Sequence, residues 1–182
     1  MILALVHLGE FRVLPWLMPG VAISAGIGLA ASRWLGRVLG VRRSLAGALI
    51  VSLGMVLSAT LTPLRGAFQF GAVGTGSCDF SRMGLAPLSE LLRFNDASLN
   101  VLLFIPLGLS IALMPRSRLK VVVIVAAAAL PFAIETAQML LPVLDRSCES
   151  ADVVDNLTGL VLGLAGGFVV GWLARTTDRN PR

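Results

Sequence analysis

The sequence predicts an all-α fold: a polytopic membrane helix bundle of five transmembrane helices, with the N-terminus outside and the C-terminus cytoplasmic. Three observations carry this expectation. The 182 residues are 56% hydrophobic and only 14% charged, with a mean hydropathy of +0.86. A soluble domain is ~25% charged. Five apolar runs approach or reach the ~20 helical residues that cross a hydrocarbon core. The basic residues, finally, sort to one side of those runs. An ordinary cytosolic enzyme and a disordered chain are both excluded by such a composition.

Residues 1–12 read as a short uncleaved N-terminus, because no basic stretch precedes their apolar part and Glu10 and Arg12 follow it. The expected spans are 13–31, 45–62, 99–114, 119–141 and 157–174. The third is short and carries Asn100 and Pro106. The fourth contains Pro131, Glu135 and Gln138, and the fifth is rich in glycine. The expected domain division is an N-terminal segment with one added helix (1–44), a four-helix membrane domain (45–174) and a cytoplasmic tail (175–182).

On this topology ten of the fifteen basic residues share one side. They are Arg33, Arg37, Arg42 and Arg43, then Arg116, Arg118 and Lys120, then Arg175, Arg179 and Arg182. Arg12, Arg65, Arg82, Arg93 and Arg146 fall on the other side, with all the acids except Glu135 and Asp178. Basic loops stay in the cytoplasm. The net charge of +5 and the pI near 10.9 therefore reflect membrane anchoring, with no nucleic-acid partner implied. The lipid bilayer is the expected partner.

Cys78 and Cys148 lie in two loops on the outer side. Such a pair can oxidise to a disulfide, or it can remain two free thiols too far apart to meet. The long non-helical stretch is 63–98, with glycines at 66, 71, 74 and 76 and no phosphate-loop signature. Trp16, Trp34 and Trp172 lie near span ends, as interfacial anchors do. His7 is the single histidine and reads as a solvated residue. One histidine and two loop cysteines provide no metal-ligand spacing, so neither metal nor cofactor is expected.

Polar groups in a membrane are costly, and each asks for a reason. Glu135 and Gln138 share a helical face, and Arg146 is the nearest cation in sequence. Asp152, Asn156, Gly159 and Gly163 form one helical stripe, which continues through Gly167 and Gly171 as a groove for a neighbouring helix. Asp155 beside it is expected to face solvent. Asn100 opens the third span, Pro106 kinks it and Gly108 allows close packing there. Asn100, Glu135, Gln138, Arg146, Asp152 and Asn156 thus converge near the outer leaflet. They form either a ligand or catalytic site, or a network that only holds three helices together.

These residues resemble the signatures of the VanZ-like membrane family. The stretch from Asn100 through Pro106 to Gly108 resembles its first motif. Ile134 and Glu135 with Gln138 resemble its second. Arg146, Glu149, Asp152, Asn156, Gly159 and Gly163 resemble its third. The family more often has aspartate where this chain has Glu149, and Asp155 matches no position of the pattern. The resemblance spans roughly residues 45–172. It implies a small multi-pass protein of the bacterial plasma membrane with a cell-envelope role. The family takes its name from a protein associated with resistance to the glycopeptide teicoplanin. Two functions follow as expectations. In one, an outward-facing polar site binds a glycopeptide or lipid-linked envelope molecule and lowers antibiotic susceptibility. In the other, an intramembrane enzyme acts on a lipid-linked envelope precursor with Glu135 or Asp152 as acid or base.

Overall fold

A computed structural model describes residues 16–64, 67, 76–93 and 95–178, without the side chains of Arg175, Thr177 and Asp178. The readings for residues 1–12 with His7, for Arg65, for the glycines at 66, 71 and 74, and for Arg179 and Arg182 lie outside the described residues. Six α-helices occur among the described ones: α1 (Leu17–Leu39), α2 (Arg43–Thr60), α3 (Leu88–Leu91), α4 (Asp96–Ala112), α5 (Arg118–Leu140) and α6 (Ser150–Asp178). Two short strands, β1 (Cys78–Asp79) and β2 (Cys148–Glu149), pair in parallel. Three described helices are long and apolar enough to cross a membrane: Arg43–Thr60, Arg118–Leu140 and Ser150–Ala174. The apolar helix Asp96–Ala112 is shorter.

The surface is inverted relative to a soluble protein. Ser24, Ser32, Ser52, Ser58, Thr60, Ser98 and Ser110 are buried, while Ile23, Leu29, Val121, Val125, Phe132 and Val161 are exposed. In a bilayer, that exposed apolar surface meets lipid, and buried hydroxyls bond within their own helices. Ser24 Oγ donates to the Gly20 carbonyl at 2.7 Å, and Ser58 Oγ to that of Gly54 at 2.6 Å.

Helices α1 and α2 form an antiparallel hairpin joined by Gly40, Val41 and Arg42. Gly40 closes α1 in the left-handed region (φ 64°), its N–H directed at the Arg37 and Gly36 carbonyls. The helix therefore runs past Ala31 and carries Arg33 and Arg37, which the sequence alone assigned to a loop. No breaker lies between residues 31 and 39, and a helix can extend beyond the hydrocarbon on its basic end. Gly20, Ser24, Gly28, Ser32 and Gly36 recur every four residues and form the face turned to α2. A Cβ on Gly20 would meet Ser58, and one on Gly54 would meet Ser24.

Helix α4 starts earlier than residue 99 because Asn95 and Ser98 form a capping box. Ser98 N donates to Asn95 Oδ1 at 3.0 Å, and Asn95 N donates to Ser98 Oγ at 3.1 Å. Lys120, on the turn into α5, is buried rather than solvated. Its Nζ donates to the Ala112 and Met114 carbonyls and lies 4.8 Å from the Phe168 ring centroid. It thereby satisfies carbonyls that the end of α4 leaves without partners.

The tightest packing joins α4 and α6, which run parallel: Val101 faces Gly159, Gly108 faces Gly163, and Ala112 faces Gly167. A Cβ on Gly163 would lie 3.0 Å from the Gly108 Cα, and one on Gly108 would lie 3.1 Å from the Gly163 Cα. The glycine groove of α6 is filled by α4. Pro106 is exposed and adds no buried side chain to that contact. Phe104, Leu107, Ile111, Val56, Ile134 and Leu160 fill the common core between α2, α4, α5 and α6.

Candidate functional site

At one end of the bundle four helix ends and two loops meet. Helix α6 begins at Ser150, seven residues before the span expected from hydropathy, so Asp152 and Asn156 stand on its first turns. The loop before it is tied down twice. Cys78 and Cys148 form a disulfide with their Cα atoms 4.4 Å apart, at matching positions of the β1–β2 pair. Arg82 grips Asp155 with both terminal nitrogens, at 3.1 and 2.5 Å. Asp155 is 1% exposed, so the expectation that it faces solvent is corrected. A charge there is tolerable only when paired. The pairing raises the Arg82 guanidinium above its ordinary value, chiefly through the hydrogen bond to Asp155. Arg82 Nη1 also donates to the Gly84 carbonyl, and Ser150 Oγ donates to the Arg82 carbonyl. The signal for Arg82 in the sequence is slight, one of three arginines in a long loop.

At the same end of the bundle lies a cavity of about 470 Å³. Asn100, Glu135, Gln138, Arg146, Asp152 and Asn156 all line it. Asp96, Asp145 and Glu149 join them, and a second wall is apolar, with Leu17, Met55, Leu99, Leu102 and Leu103. Asp96, Ser147 and Leu102 are exposed, so the wall reaches the molecular surface on both its polar and its apolar side.

Some of the six residues hold the bundle together. The C-terminal carbonyls of α2 have no partner within the helix. Gln138 Nε2 donates to the Thr60 carbonyl at 2.9 Å. Arg146 donates from Nε to Thr62 at 3.0 Å and from Nη2 to Ala59 at 2.5 Å. A cation at that helix end also complements the negative pole of its dipole. Burial lowers the Arg146 guanidinium below its ordinary value, and the nearby Asp152 and Glu135 oppose the shift. Glu135, 5% exposed, accepts from the Glu149 backbone N–H at 2.8 Å through Oε2. The side chain of Asn100 is turned to the Asp152 carboxylate.

Two oxygen atoms of the site are left over. Gln138 Oε1 and Asn156 Oδ1 are buried without a hydrogen-bond partner. Both residues are at least nine-tenths buried, and both line the cavity. Among the described residues no group of three His, Cys, Asp or Glu side chains is placed to hold a metal ion. Among the described residues, the cavity presents five carboxylates against one guanidinium, and that guanidinium already serves backbone carbonyls.

A protein-family model described as VanZ/LLP1 matches residues 49–171. No curated protein and no solved structure matches the chain.

Proposed function

Since the chain belongs to the VanZ family, we propose that it is a multi-pass protein of the bacterial plasma membrane with a cell-envelope role. It lowers susceptibility to teicoplanin-type glycopeptides by binding a polar part of a glycopeptide or lipid-linked envelope molecule. In this reading five helices span the bilayer, and the disulfide end faces outward. Two features support the orientation. Arg33, Arg37, Arg42, Arg43, Arg116 and Arg118 gather at the opposite end, and a disulfide belongs on the oxidising side.

The observation that carries the proposal is the cavity itself. Six polar residues from three helices and one loop line it, and two of them hold buried oxygen atoms that no protein group satisfies. A network serving only to hold helices together would leave fewer such atoms, since each costs about 1–3 kcal/mol. A second reading draws on the same wall: Glu135 and Asp152 in one cavity are suited to move a proton on a lipid-linked precursor.

Glu135→Gln is the deciding variant, because it removes the charge while keeping size and hydrogen bonding. The expected outcome is a protein of unchanged expression and melting temperature in detergent, in cells whose glycopeptide susceptibility has risen. Unchanged susceptibility with unchanged stability overturns the binding function. Lost stability without a specific phenotype assigns the residue to the scaffold. Turnover of a defined lipid substrate by the native chain, abolished in Glu135→Gln, establishes the enzyme instead.

A further inference from the structure

The cavity has a definite hydrogen-bonding character. Gln138 Oε1 is an acceptor, because its own Nε2 is directed at the Thr60 carbonyl. Asn156 Oδ1 is likewise an acceptor. The carboxylates of Glu135 and Asp152 are acceptors when ionised. The donors on this wall are already directed at protein acceptors: Gln138 Nε2 at Thr60, Arg146 at Ala59 and Thr62, and the Asn100 amide at the Asp152 carboxylate. Among the described residues, an anionic group would meet five carboxylates, and the guanidinium that lines the cavity, that of Arg146, is occupied by the carbonyls of Ala59 and Thr62. A bare divalent cation needs several ligands converging at one point, and the described residues contain no such cluster.

We infer that the cavity binds an organic ammonium group bearing N–H donors, carried on the headgroup of an amphiphile. The ammonium sits among Gln138, Asn156, Glu135 and Asp152. The attached chain leaves along Leu99 and Leu102. Two observations select an amphiphile over a soluble amine. The wall is divided into polar and apolar parts, and Leu102 is 51% exposed on a helix in the bilayer, so a lipid can reach the site sideways. This rests on the reading of the cavity as the binding site for an envelope molecule, and it specifies the chemistry of the group bound.

The test uses the full chain purified in a neutral detergent, with short-chain phosphatidylethanolamine as the probe. Matched phosphatidylcholine carries the same charge without N–H donors, and phosphatidylglycerol has no ammonium. Saturable binding of the ethanolamine lipid is expected, at least about tenfold tighter than either comparison lipid, because buried acceptors left unpaired are penalised. Free ethanolamine is expected to bind about tenfold more weakly than its lipid, and equal affinity overturns the amphiphile. Asn156→Leu should abolish the preference for ethanolamine over choline. If that variant does not fold, the comparison on the native chain still decides. Equal binding of the two lipids, or a preference for phosphatidylglycerol, overturns the inference. Headgroup discrimination without any change of glycopeptide susceptibility in Glu135→Gln sinks the proposed function and leaves this inference standing. The reverse pattern does the opposite.

Discussion

Asp155 shows how much a single partner matters at the residue scale. Its carboxylate is 1% exposed and is held by Arg82 alone among the described charges within ion-pair distance. Removing one member of a buried pair leaves the other charge uncompensated, a change that costs about 3–5 kcal/mol. Arg82→Ala is therefore expected to lower the melting temperature of the purified protein strongly. The double variant with Asp155→Ala should recover much of the loss, and a single variant as stable as the native chain would show the pair to be incidental. Hydrophobicity and spacing could not reveal this contact, because residues 82 and 155 are 73 positions apart and only the folded loop brings them together. Glu135 is the opposite case. A carboxylate in an otherwise apolar run stands out in the bare sequence, since no residue needs a reason there more than a charged one.

At the scale of the element, the sequence marks some helix ends more clearly than others, for reasons tied to particular residues. Apolar length marked four helices to within a few residues at most of their ends. It missed the first turns of α6, where Ser150, Asp152 and Asp155 dilute the hydropathy although the helix is intact. It also ended α1 at Arg33, although helix continues to the glycine cap at Gly40. Periodicity proved the better guide to packing. The stripe Gly159, Gly163 and Gly167 faces α4 at backbone distance, and the matching stripe from Gly20 to Gly36 faces α2. This second stripe has the same four-residue spacing and was open to the same argument. Gly163→Ala puts a methyl group 2.9 Å from the Leu109 nitrogen and 3.0 Å from the Gly108 Cα. The two backbones must part, and overpacking of this kind costs about 1–3 kcal/mol. Gly166→Ala meets nothing within 4 Å and should be neutral or slightly stabilising. Equal melting temperatures for the two variants would refute the role assigned to the stripe.

At the scale of the whole molecule, the question is which end of the bundle faces the cell exterior. Ser147 is exposed beside the cavity, and Ser44 is exposed at the basic end. In intact cells, Ser147→Cys should react with a membrane-impermeant thiol reagent, and Ser44→Cys only after lysis. The reverse pattern would invert the orientation and move the cavity to the cytoplasm.

Class and family both follow from composition and motif. A chain this apolar has to meet lipid, and polar residues kept inside its helices have to turn toward one another or toward a ligand. Tertiary structure alone decided how those six residues divide their work. Gln138 and Arg146 close the end of α2 because four helix ends meet there and its carbonyls need donors. The side-chain oxygens of Asn156 and Gln138 are left without a partner where the two residues line the cavity, while the disulfide and the Arg82–Asp155 pair tie down the neighbouring loops. Hydropathy is a local property of the chain. Whether a buried oxygen finds a partner depends on segments brought together from 70 or more residues away, and it exists only once the bundle has closed.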